Sequence, residues 1–250
     1  MIVMSLSQLA VGNIQPVYAA NTETIPPASQ FCGSINSIGS RMQSKLVNIT
    51  DTSGVSVNSV ESLLVRQSNI QKDLEQNRIK WDEERNQQYD KMLSLAQNET
   101  QKTAIMTFKI SVENAIVIRR QSVDLAITEY FSQARTLLQR EESQLVGARS
   151  EFVMNITKTI DTAESDCSAN KSPSEIRTNF QTNIATAQNK LQKTRESINT
   201  TKSELEKIRK QEMQTINQAL QDFQGSLTGA RRDLINNLKS SGAKTNQFDI

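Results

Sequence analysis

Neither glycine nor proline occurs from Val55 to Val146, nor again from Ser174 to Gln224. Glycine costs a helix interior about 1 kcal/mol and proline about 3, so both stretches are free to form very long helices. Disorder is the other outcome for so polar a chain, and apolar periodicity decides between them. The clearest pattern runs from Ile105 through Val112, Arg119, Ala126 and Tyr130 to Phe152, in alternating steps of three and four. A heptad spacing held over that distance is the signature of a coiled coil. Apolar residues make up 36% and aromatic residues 4% of the 250 positions. That is too little for a large globular core, and it suits helices that bury one narrow stripe.

Two weaker stripes precede this one. Ile35, Ile38, Met42, Leu46 and Ile49 form the first, which ends at the turn-like run Asp51-Thr52-Ser53-Gly54. Val60, Leu63, Ile70, Leu74, Trp81, Met92 and Leu95 form the second, diluted by Gln67, Asn77 and Gln88. Gln97-Asn98-Glu99-Thr100 then interrupts the periodicity with residues that favour turns and caps. A third helix starts at Ser172-Pro173-Ser174-Glu175, where serine at the N-cap, proline at the first turn and glutamate three residues after the cap make a capping box. Its stripe runs from Ile176 to Ile208 and resumes, one residue out of step, from Ile216 to Leu238. That shift, together with the cap-like Thr201-Lys202-Ser203-Glu204, leaves open whether the segment is one helix or a second hairpin.

Residues 1–20 read as an export signal, with an apolar start and small residues at Ala19 and Ala20 where a signal peptidase would cut. No lysine or arginine precedes the apolar run, which fits a true start upstream of Met1. Export suits the two cysteines, an even count consistent with one disulfide; two unconnected thiols are the alternative. Cys32 and Cys167 are centred on Glu99–Thr100. An antiparallel hairpin with its tip at 97–100 would therefore bring them together at its open end. Facing residues would then have numbers summing to about 199. This sets Trp81 in the core near Ile118 and Leu74 near Leu125, and suggests an Arg119–Glu84 ion pair that fixes register.

The chain contains no histidine, which removes the commonest general base and metal ligand. Acidic residues alternate with Lys, Arg and Gln along helix faces, and even the dense run Asp82-Glu83-Glu84-Arg85 reads as a solvated face. No catalytic, cofactor-binding or metal-ligating residues are assigned, and no calcium-type spacing occurs. With 22% charged residues and a net charge of only +2, no nucleic-acid partner is expected. The Gly225–Gly229 pair reads as a kink or helix end, and Arg231-Arg232 as a solvated end rather than a lipid or phosphate site. Asn48, Asn98, Asn155 and Asn199 open glycosylation triplets, which arise by chance in a chain rich in Asn and Thr.

Phe31-Cys32, Trp81-Asp82-Glu83 with Arg85, Arg119-Arg120 with Val123-Asp124 and Ala126-Ile127, and Asp166-Cys167 carry a resemblance. Over Phe31 to Cys167 the chain resembles a family of uncharacterised exported long-helix (coiled-coil) proteins from small-genome candidate-phylum bacteria. The resemblance implies a secreted or envelope location and a helical rod tied by two cysteines; it supplies no activity. The Ser53-Gly54 interruption and the Asn- and Gln-rich arms depart from that pattern. In architecture alone the chain is also similar to the Skp/OmpH periplasmic chaperones, without the β-rich body on which those trimerise.

The expected fold is all-α. A signal peptide occupies 1–20, a linker 21–31, and a long antiparallel helical hairpin (coiled coil) 32–167, with a break near 51–56. A second linker at 168–172, a further long helix or second helical hairpin at 173–239 and a disordered tail at 240–250 complete it. The expected function is that of a non-enzymatic exported structural or interaction protein of the cell envelope or surface, whether periplasmic, cell-surface or extracellular. It has a protein partner or self-association, no cofactor and no small-molecule substrate. A Skp-like holdase chaperone is the alternative, and a peripheral membrane-binding amphipathic helical protein a second one; membrane contact is not favoured.

Overall fold

The computed structural model describes residues 25–51 and 54–243, and for residues 45–59, 195 and 198–200 it describes the backbone alone. The proposed signal segment with Ala19 and Ala20, and most of the tail, lie outside the described residues. Within them the chain is all-α: α1 spans Ala28–Asp51, α2 Gly54–Ser94, α3 Glu99–Ser168 and α4 Pro173–Ser240. The break expected near 51–56 falls in part on residues 52–53, outside the described residues, and residues 95–98 separate α2 from α3. α1 begins inside the segment read as a linker. α4 is a single helix rather than a second hairpin, and it continues through Gly225 and Gly229 without ending there.

The helix ends are closed by identifiable caps. Asn98 caps α3, its side-chain oxygen accepting from the Gln101 amide at 3.0 Å, while the Gln101 side-chain oxygen accepts from the Gln97 amide at 2.8 Å. α3 ends in a Schellman motif at Asn170, which sits at φ 57°. There the Lys171 amide reaches the Asp166 carbonyl and the Asn170 amide the Cys167 carbonyl, each at 3.1 Å. Gly242, at φ 78°, closes α4 in the same way, with the Ala243 amide on the Leu238 carbonyl at 3.0 Å.

Two compact units cut across the helices: 1–62 with 135–205, and 63–134 with 206–250. They replace the sequence-based division into a hairpin and a separate C-terminal segment, because α4 packs against the other helices in both.

In the first unit α1 and α4 each lie antiparallel to α3. Phe31, Ile35 and Ile38 meet Ile156, Ile160 and Ala163 of α3 and Ile176, Phe180 and Ile184 of α4 in one cluster. Phe31 and Phe180 are in edge-to-face contact at 5.4 Å between centroids. The Cys32–Cys167 disulfide joins α1 to α3 beside this cluster, with Cα atoms 5.5 Å apart. A Cβ at Gly39 would come within 2.8 Å of the Ile160 side chain, so glycine there is what lets α1 and α3 approach so closely. Lys190 pairs with Glu151, and Arg140 with Glu204 at 2.8 Å, which set the register of α3 against α4.

In the second unit α2, α3 and α4 form a three-helix bundle. Met92, Ala104, Ile105, Leu234 and Leu238 make its core near the α2–α3 tip. The α3 stripe read from the sequence is the buried one: Ile105, Val112, Ala115, Ala126, Tyr130 and Ala134 are all buried. A third helix alters what the two-helix register implied. Trp81 is 43% exposed, and Ile118 and Leu125, the expected neighbours of Trp81 and Leu74, are 63% and 58% exposed and turned outward. The expected Arg119–Glu84 pair is replaced as well. Arg119 lies over the Phe223 ring of α4 at 5.2 Å, while Glu84 sits 3.9 Å from Lys80 on its own helix. The physical reason is that each helix here serves two neighbours, which rotates its buried face away from a simple hairpin seam.

Candidate functional site

The second unit contains a cleft of about 480 Å³ between α2, α3 and α4. Its apolar surface comes from Leu74, Trp81, Met92, Phe108, Val112, Ile116, Val123, Phe223 and Leu227, and its polar surface from Arg78, Arg85, Arg119, Arg120, Arg231, Gln88 and Tyr89. No carboxylate lines it.

Three of these arginines are held by acids behind the wall. Arg78 forms a two-point bond with Asp124 at 2.6 and 3.0 Å. Arg85 donates to Glu113 at 2.7 Å and also to Asp82, and Arg120 donates twice to Asp82, at 2.5 and 2.8 Å. Such forked pairs are strong and geometrically specific. They tie α2 to α3 and fix the direction of each guanidinium. The Arg120 bonds above all hold the Asp82 carboxyl down at about 2, with Arg85 adding to the effect against partial burial. A carboxyl with a lowered folded-state pKa stabilises the fold above its unfolded value, near 3.8. That contribution should be complete above about pH 4 and drain away toward about pH 2. Asp82→Asn should therefore flatten the stability profile over this window, read by denaturant titration at successive pH values; an unchanged acid limb would contradict it.

Arg119 and Arg231 differ from these three. Neither has a carboxylate at ion-pairing distance among the described residues. Arg119 is half-buried against Phe223. Burial, and then the positive charges of Arg120 and Arg78, pull its guanidinium below the usual value. Tyr89 is 2% exposed, with its hydroxyl beside Glu113 and Arg85. Burial, and after it the Glu113 charge, pushes the phenol well above its ordinary value, so it remains a protonated donor. Lys109 adds a further cation 5.2 Å from the Tyr89 ring.

The residues singled out from the sequence are distributed between the two units. Cys32 and Cys167 are joined in the first. Trp81 and Arg119 line the cleft of the second, whereas Glu84 is on its solvent side. Arg231 is exposed, in keeping with the reading of it as solvated, but it lies within α4 rather than at a helix end and stands at the cleft. Arg78, Arg85, Arg120 and Tyr89 were not singled out as a site. A signal was present: Arg78 and Arg85 are one heptad apart, as are Val112 and Arg119. Elsewhere in this unit Glu212 is buried with one carboxylate oxygen unpartnered, and burial raises its pKa against the pull of Arg209 and Arg66. Among the described residues no group of three or more Cys, Asp or Glu is placed to hold a metal ion. No helix among them is long and apolar enough to cross a membrane. No protein family, curated protein or solved structure matches the chain.

Proposed function

We propose that the chain is an exported helical structural and interaction protein of the cell envelope or surface, and that its second unit self-associates through α3. The observation that carries this is an outward face that is largely apolar, on which the one charged side chain from Met106 to Leu125 is Asp124, paired with Arg78. Met106, Ile110, Val117, Ile118 and Leu125 are 44–63% exposed. At about 100° per residue they fall on the side of α3 away from Val112, Ala115 and Ile116. Thr107, Ser111, Asn114 and Gln121 fill the gaps. With its one carboxylate already neutralised by Arg78, such a face does not strongly repel its own copy, and antiparallel pairing of two α3 helices would bury it twice over in an isologous contact. The Cys32–Cys167 disulfide supports the exported part of the reading, because such bonds persist in oxidising compartments.

Sedimentation equilibrium tests this. The expected result is a reversible dimer that Val117→Lys and Ile118→Lys together weaken by about tenfold or more, with helix content unchanged because both side chains face solvent. A wild-type chain that stays monomeric at all concentrations would refute self-association. Crosslinking in the native envelope tests the wider reading: a broad set of unfolded exported clients would overturn it in favour of a holdase.

A further inference from the structure

The arginine cleft goes beyond a scaffold's needs. Five guanidinium groups line it, and the three carboxylates that hold them are Asp82, Glu113 and Asp124. Of the two remaining arginines, Arg119 is half-buried with no carboxylate at ion-pairing distance, whereas Arg231 is exposed at the edge of the cleft. A helical rod gains nothing in stability from gathering like charges against an apolar wall. Arg119 in particular is held over Phe223, with its neighbours Arg120 and Arg78 repelling it. The buried Tyr89 hydroxyl, beside Glu113 and Arg85, adds a polar group to the same wall. Clefts of this size, mostly apolar with a few convergent polar groups, are what small-molecule sites look like.

We propose that this cleft binds a single-chain amphipathic anion, with its oxyanion head on Arg119, its apolar body against the wall formed by residues such as Leu74, Trp81, Val112 and Leu227, and Arg231 adding positive charge at the cleft's edge. The argument is one of complementarity. An anionic head supplies the charge that the lining lacks, since all the acids present are already engaged. The guanidinium of Arg119 offers its donors in a fixed plane, suited to a carboxylate or a phosphate monoester. The apolar wall selects against inorganic anions, and the arginines select against cationic and neutral amphiphiles. α4 contributes Phe223, Leu227 and Arg231 while α2 and α3 contribute the rest, so occupancy should also clamp the three helices of this unit together.

Trp81 is the sole tryptophan of the chain and lines the cleft, so its fluorescence reports occupancy directly. The full chain is titrated with decanoate and with decyl phosphate below their micelle concentrations; 1-decanol, decyltrimethylammonium and inorganic phosphate serve as comparisons. The expected result is a saturable change with one or both amphipathic anions, and the two arms decide whether the head is a carboxylate or a phosphate. Arg119→Gln should weaken binding about tenfold or more without loss of helix content, and Arg231→Gln by a smaller factor. Arg232→Gln, whose side chain does not line the cleft, should leave binding unchanged. Equal binding of decanol or the ammonium amphiphile would overturn the proposal, and so would binding of phosphate alone as tight as that of decyl phosphate. Should Arg119→Gln fail to fold, the Arg231→Gln result and the head-group comparison on the wild-type chain still decide. The readout is independent of oligomeric state, so failure here and failure of self-association are separable.

Discussion

Breaking the Cys32–Cys167 disulfide should lower the stability of the folded chain by about 4 to 5 kcal/mol, the largest change that any local modification would produce. The two cysteines are 135 residues apart in sequence. In the chain-entropy account, crosslinking so long a loop removes roughly 4 to 5 kcal/mol of freedom from the unfolded ensemble. The geometry of the first unit argues for the upper part of that range. Phe31, Ile35, Ile38, Ile156 and Ile160 are each no more than 3% exposed beside the bond, so the folded state places the two cysteines together whether or not they are joined. The bond therefore acts mainly on the unfolded chain. Urea unfolding followed by circular dichroism, with and without reductant, checks this. The Cys32→Ala, Cys167→Ala double variant should match the reduced wild type. A midpoint that reductant leaves in place would show that the loop is already closed in the unfolded state and that the entropic argument fails.

Much of this fold is legible in the sequence because each helix end carries its own local instruction. Asn98 caps α3, and the run around Pro173 opens α4, by interactions within one turn. The cysteine pairing is legible as well, since the symmetric placement of Cys32 and Cys167 about Glu99–Thr100 is a property of numbering. The partnership of α4 with α1, α2 and α3 is not. Heptad periodicity shows that one stripe of a helix is buried, but it does not count how many neighbours share it. Trp81 and Arg119 were misplaced for that reason: both sit on the expected stripe, and both turn toward a third helix that a hairpin does not contain. The cleft was hidden by residue type. Arginine in a polar helix reads as a solvated side chain, and only the three-helix geometry brings Arg78, Arg85, Arg119, Arg120 and Arg231 to one wall. The outward face of α3 was hidden in the opposite way. Ile118 and Leu125 look like core residues in sequence, and nothing local says that they stand on the exposed side of α3.

Phe180→Ala should cost the fold about 3 to 5 kcal/mol, the range for emptying a buried phenylalanine site. Phe180 is 2% exposed and meets Phe31, which is 0% exposed, in the edge-to-face pair. It is the contact through which α4 joins the disulfide-tied α1–α3 pair. Neighbouring side chains cannot close over the cavity, because Gly39 already brings α1 within contact distance of Ile160 and the disulfide fixes the helices beside it. A site that cannot collapse keeps its cavity, and a retained cavity is what moves the cost toward the upper end of the range. Ile184→Val, one turn further along α4 in the same cluster, removes a single methyl group and should cost only about 0.5 to 1.5 kcal/mol. Denaturant unfolding of both variants at fixed pH, with the disulfide intact, gives the comparison. Equal small losses would mean that α4 is held to this unit chiefly by Lys190–Glu151 and Arg140–Glu204. Ion pairs of that exposed kind seldom contribute more than about 1 kcal/mol, so the steep difference between the two variants is what a packed aromatic joint requires.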